Sequence, residues 1–187
     1  QGAFSLACLI TGMDEFMVAL TDPDCEENVN RLLDATYDVA LKMHELCYAQ
    51  GAHMTGYGNS SEGCSVISPR MFRKFCKARE TRLAADLKAR GIPTICHICG
   101  NVTPILPDLI DTGCKAYELD WLTDVQGIHD QALGKFVLSG NVNPAIFSTS
   151  VCGWCALTTA QTGFQRRGSG SAKQTISQSS QKLLRMP

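Results

Sequence analysis

The chain has 187 residues, 44% hydrophobic and 19% charged, enough apolar material for the core of one ordinary domain. A formal net charge of −1 gives no overall reason to expect nucleic acid or an acidic membrane as partner. Ten cysteines could signal a disulfide scaffold, but Cys8, Cys25, Cys47 and Cys76 fall singly on helical patterns, as small hydrophobes do.

No signal peptide opens the chain and no apolar run approaches a membrane span. A reducing, cytoplasmic setting is therefore expected. Gln1 stands where an initiator Met would, which suggests residues lost upstream. The charge balance is uneven: residues 1–130 carry 11 basic and 18 acidic side chains, whereas beyond Asp130 lie six basic residues and no acid.

Phe4 to Leu20 is apolar with a break at Gly12, which predicts two short helices. Asp22-Pro23 then announces a helix, with Asp as N-cap and Pro at the first helical position. Val29, Leu32, Leu33, Thr36, Val39, Ala40, Met43, Leu46 and Cys47 recur at three and four, predicting one buried face up to Gly51. A strand is expected from Ala52 to Tyr57, followed by a polar, glycine-rich loop, Gly58 to Gly63.

Ser68-Pro69 repeats the capping signal and opens a helical region to Arg90, closed by Gly91. A second strand lies within Pro93 to Ile98. Pro104 to Thr112 reads as helix, Lys115 to Leu119 as strand, and Thr123 to Gln126 as the capping box of a helix to about Leu133. Lys135 to Ser139 is the fourth strand. Four alternations of strand and helix with short links mean a parallel sheet with right-handed crossovers, either doubly wound or a (β/α) barrel. The expected domain covers residues 1–150. Residues 151–187 read as a low-complexity basic tail, and 163–187 are too polar and aperiodic to order themselves.

Polar residues cluster where each predicted strand ends: Asn59 and Ser60, Cys99 and Asn101, Asp120, and Asn141. In both architectures ligands bind at the carboxyl ends of parallel strands. On the second strand, alternation sends Ile95, His97 and Cys99 to one face and Cys96 and Ile98 to the other. An imidazole and a thiol so placed can grip one borderline ion, with Zn(II) the first candidate. The alternative is a core strand with a buried histidine and an inert thiol. Cys96 and Cys99 form a C-X-X-C, but a redox pair needs both thiols accessible together. Cys114, at the opposite strand end, reads as packing.

Five segments, Gly2 to Ala7, Ile67 to Phe72, His97 to Asn101, Leu119 to Trp121 and Gly140 to Pro144, resemble the uroporphyrinogen decarboxylase superfamily in order and spacing, over roughly residues 2–147. The resemblance implies a (β/α)8 barrel, present here only in part. It also implies one of two activities. The His-X-Cys strand is similar to the zinc-dependent corrinoid:thiol methyltransferases that form methyl-coenzyme M, which implies His97 and Cys99 as zinc ligands. A methyl-corrinoid on a partner protein would then be co-substrate and a small thiol the acceptor. That branch's third ligand, a Gly-Cys segment near the last strand, has no counterpart; Cys152 and Cys155 come too early.

The alternative implied activity is uroporphyrinogen decarboxylation, a cofactor-free lyase reaction of porphyrin biosynthesis with a porphyrinogen as substrate. A non-catalytic barrel fragment is a third reading. Ser60, Asp120 and Asn141 match substrate-side positions in the family, and Asn59 stands where an acid is common. An open half barrel is also expected to pair with itself or aggregate.

Overall fold

The computed structural model describes residues 1–145. Two short helices open it, α1 (Ala3–Thr11) and α2 (Met13–Thr21), bent by 111° at Gly12. Their apolar side chains meet: Phe4 and Phe16 stack edge to face with centroids 5.3 Å apart, and both are buried. Asp22 caps as its sequence context predicts, its carboxylate accepting from the Asp24 N–H at 2.9 Å. A 3-10 turn (Pro23–Cys25) then leads into α3 (Glu26–Ala49).

The buried stripe of α3 is Val29, Leu33, Thr36, Tyr37, Ala40 and His44, rotated from the expected face. Val39, Met43 and Leu46 are about half exposed at 53%, 55% and 48%, and Cys47 is exposed as well. The reason is that α3 docks on α1 and on α5 through residues spaced 29, 33, 37, 40 and 44. Tyr37 and His44, ambiguous by polarity, prove to be core residues. Tyr37 donates to Asp86 with Arg82 lying 4.2 Å above its ring. His44 lies 2.7 Å from the Thr55 hydroxyl, and its burial lowers its basicity.

The four strands are β1 (Thr55–Gly58), β2 (Thr94–Ile98), β3 (Ala116–Leu119) and β4 (Val137–Gly140). They pair in parallel in the order β1-β2-β3-β4. Between β1 and β2 runs a continuous helical region: α4 (Pro69–Met71), a π-helical stretch (Phe72–Cys76) and α5 (Lys77–Ala89). Ser68 caps it, its hydroxyl accepting from Met71 N–H at 3.2 Å.

A 3-10 turn (Thr103–Ile105) and α6 (Leu106–Thr112) join β2 to β3, and α7 (Val125–Ala132) joins β3 to β4. Asp108 clamps α6 to the preceding helical region, accepting from Arg73 at 2.8 Å and Lys77 at 2.9 Å. Burial tends to raise its pKa, but Lys77 and Arg73 outweigh that and hold it below the usual carboxylate range. At α7 the cap is Asp124, which accepts from Gly127 N–H at 3.0 Å, not Thr123. The Thr123 hydroxyl is buried, donating to the Gly100 carbonyl and accepting from Val102 N–H.

The helices cover one face of the sheet. Against them lie Tyr57, Cys96, Tyr117 and Leu138, one from each strand in register. The other face carries Gly56, Ile95, Ala116 and Val137 in one layer and Gly58, His97, Glu118 and Ser139 in the next. Gly56, Val137, Glu118 and Ser139 are exposed there. A sheet wound in one direction and covered on one face is part of a (β/α) barrel, its bare face the lumen side. A doubly wound sheet would reverse its order and bury both faces.

The described residues end at 145, so the expectations for Cys152, Cys155 and residues 163–187 lie outside them. The eight described cysteines are free thiols. Among the described residues no single helix is long and apolar enough to cross a membrane.

Candidate functional site

Period-two alternation puts His97 on the bare face of β2, and the chain continues past Ile98 to bring Cys99 to the same side. The imidazole Nε2 lies 3.1 Å from Cys99 Sγ. Its Nδ1 lies 3.2 Å from the main-chain carbonyl oxygen of Glu118, the register partner of His97 on β3. A carbonyl only accepts, so Nδ1 carries the hydrogen and, in the neutral ring, the Nε2 lone pair faces the sulfur. The Glu118 carboxylate stands 3.9 Å from Nδ1.

Cys99 is seated by the loop that follows β1. Gly63 passes so close that a Cβ there would overlap the Cys99 carbonyl oxygen. Cys64 N–H donates to the Asn101 carbonyl at 3.3 Å. Gly100 adopts φ +81° against Ser65, a backbone state that glycine enters without steric cost. The turn therefore ends β2 abruptly and leaves Cys99 half-buried at the carboxyl end of the strand, while Cys96 is wholly buried among the helices. Burial pushes the Cys96 thiol well above its ordinary pKa. The two thiols of the C-X-X-C thus face opposite sides, as alternation predicts, and a dithiol redox couple has no geometry here.

Beneath the same loop is a feature that the sequence did not reveal. Asn59 and Glu62, expected on an open polar loop, are buried at 0% and 1% exposure. Asn59 Nδ2 donates to Glu80 Oε1 at 2.7 Å, so Asn59 points behind the sheet and not into the lumen. Glu80 projects from α5 and is itself buried. Burial pushes Glu80 up to about 7 against the opposing help of Tyr57 and Asn59. Burial, and then the neighbouring Glu80, push Glu62 well above the carboxylate range. Among the described residues, Glu62 Oε2, Asn59 Oδ1 and Ser5 Oγ have no hydrogen-bond partner.

Of the remaining candidates, Asp120 and Asn141 come together, the Asn141 amide lying 3.5 Å from the Asp120 main-chain oxygen. Ser60 is exposed and lines a cavity of about 420 Å³ with Ser5, Cys8, Leu9 and Met13. The carboxylate of Asp120 accepts from Leu122 N–H at 2.9 Å, capping its own loop. The Asn141 amide donates to the Thr123 carbonyl at 2.9 Å, tying the end of β4 to that loop. Cys114 is buried, and burial raises its thiol pKa. Glu118 is the residue missed by sequence reasoning. Its signal was a lone charge in the apolar run Ala116-Tyr117-Glu118-Leu119, on the same alternation as Asp120.

The donors can be tested against zinc. Tetrahedral bonds of about 2.0–2.1 Å to nitrogen and about 2.3 Å to sulfur separate two such donors by about 3.5 Å, close to the 3.1 Å between Nε2 and Sγ. The sulfur and nitrogen types also suit that ion. Among the described residues no group of three or more His, Cys, Asp or Glu side chains could hold a metal. His97 and Cys99 therefore fit two positions of a site and do not complete it.

The family model described as uroporphyrinogen decarboxylase (URO-D) matches residues 1–151. A methylated-thiol–coenzyme M methyltransferase of Methanosarcina mazei is 30% identical over 118 residues, 63% of this chain and 30% of that protein. The methylcobamide:CoM methyltransferase MtbA of Methanosarcina acetivorans is 26% identical over 143 residues, 76% of this chain and 41% of its own length. A uroporphyrinogen decarboxylase of Hydrogenovibrio crunogenus is 29% identical over 89 residues, 46% of this chain and 25% of that protein.

A solved methyltransferase from Methanosarcina mazei superposes with a TM-score of 0.66 at 23% identity, covering 76% of this chain and 41% of its own. That likeness carries the fold alone, and the chain spans well under half the length of each of these relatives. With the family model covering most of the chain and the strands wound in parallel as part of a barrel, the chain belongs to the uroporphyrinogen decarboxylase family.

Proposed function

We propose that this chain is part of a methyltransferase that moves a methyl group between a corrinoid and a thiol, with His97 and Cys99 as two of its zinc ligands. The observation that carries this reading is the 3.1 Å approach of Nε2 and Sγ on the bare sheet face. Relatives named as methyltransferases acting on methylated thiols or methylcobamide with coenzyme M support it. Zinc, when bound, lowers the pKa of a coordinated thiol and so supplies a thiolate nucleophile at neutral pH. The chain's own contribution is to present an imidazole lone pair and a sulfur from one strand end. The Glu118 carbonyl fixes the tautomer, and the Gly63 and Gly100 turn holds the sulfur in place.

The test is a titration with zinc, or with Co(II) followed by its thiolate charge-transfer absorption. Two protein ligands bind weakly, so low affinity is expected in this chain. Cys99→Ser should abolish the thiolate band, whereas Cys96→Ser should leave it, because that side chain faces the helices. Equal loss from both substitutions would refute the reading. The alternative, uroporphyrinogen decarboxylation, draws support from relatives of that name and predicts activity on a porphyrinogen that is indifferent to Cys99→Ser.

A further inference from the structure

Glu118 is an exposed acid whose place on the sheet is not explained by packing. Register sets it directly beside His97 on the bare face, in a layer otherwise formed by Gly58 and Ser139. Neither of those neighbours offers a charge; a Cβ at position 58 would meet Gln1 Oε1 at 3.9 Å. Its carboxylate Oε2 is 3.9 Å from His97 Nδ1, with the His97 side chain 32% exposed and that of Glu118 53% exposed. Nδ1 already has a hydrogen-bond acceptor in the Glu118 main-chain oxygen at 3.2 Å. The carboxylate is thus too far for a second hydrogen bond, yet near enough to act through its charge. It also stands at Nδ1, the far side of the ring from the Nε2 that faces Cys99, so it is not placed to share a ligand with that sulfur.

We infer that Glu118 is a positioning residue of the His97–Cys99 site: its carboxylate charge reinforces the Nδ1–H tautomer that its own main-chain carbonyl sets and makes Nε2 a better donor to a cation. The inference rests on the metal reading proposed above. When Nε2 binds a cation, the ring is drained of electrons and the Nδ1–H becomes more positive. A negative charge beside it stabilises that state relative to the empty one, as carboxylates behind metal-bound histidines do. Such partners are generally worth 10- to 100-fold in metal affinity. Because Glu118 is half exposed and screened by solvent, the lower end, about tenfold, is expected.

The experiment measures Co(II) and zinc affinity of the full chain in the wild type, Glu118→Gln and Glu118→Asp, with ¹⁵N spectra of the His97 ring in the metal-free protein. Glu118→Gln keeps the size and removes the charge. It should weaken binding about tenfold and shift the His97 Nδ1 resonance, without changing the melting temperature of the metal-free chain. Glu118→Asp should restore most of the affinity, an effect that a merely structural role would not produce. Wild-type affinity in Glu118→Gln would overturn the positioning role while leaving the metal reading intact. Absence of any thiolate–cobalt band in the wild type would overturn both.

Discussion

Glu62 is buried, with one carboxylate oxygen lacking a partner among the described residues and Glu80 as its acidic neighbour. Two carboxylates in a low-dielectric space cannot both ionise without a large desolvation cost, so the folded protein retains protons there that the unfolded chain has released. The sign follows from linkage. A carboxyl whose folded pKa is raised gives stability that is complete below the unfolded value and is lost as pH climbs through the window between the two. For Glu80 that window runs from its ordinary 4.5 to about 7, and burial shifts Glu62 in the same direction. Melting temperature should therefore fall as pH rises from about 4.5 to about 7. Glu62→Gln, which cannot ionise, should flatten that profile. An unchanged slope would show that Glu62 does not hold the proton.

At the scale of elements, α3 and α7 separate what packs from what merely looks apolar. Leu33 is fully buried where α3 meets the core, whereas Met43 is 55% exposed on the opposite side. Leu33→Ala should cost about 2–5 kcal/mol through lost transfer and cavity terms, and Met43→Ala less than about 0.5 kcal/mol; urea unfolding measures both. On α7, Asp124→Ala removes the cap and should cost about 1 kcal/mol. The same measurement on Thr123→Val should show at least as large a loss, because the hydroxyl is buried between the Gly100 and Val102 main chain and its removal strands two polar groups.

At the scale of the molecule, among the described residues no strand pairs beyond β1 or β4, and the lumen-side face is open, with Gly56 and Val137 exposed. Unpaired strand edges beside apolar surface favour association. The isolated chain is expected to sediment as dimers or larger species, with loss of monomer as concentration rises. A monodisperse, cooperatively melting monomer across that range would contradict the expectation.

The parallel half barrel was legible in the chain because its signals are local. Caps at Asp22 and Ser68, helix-ending glycines at 91 and 113, and four short apolar runs set the alternation of elements, and alternation on β2 separated Cys96 from His97 and Cys99. Other features depended on partners distant in sequence. Which side of α3 is buried was decided by where α1 and α5 lie, so Val39, Met43 and Leu46 point outward and Tyr37 and His44 inward. The burial of Asn59 and Glu62 depends on Glu80, which reaches them from α5. The nearness of Glu118 to His97 depends on the β2–β3 register. Periodicity tells which residues share a face, but burial and charge pairing arise only when elements far apart in the chain are brought into van der Waals contact.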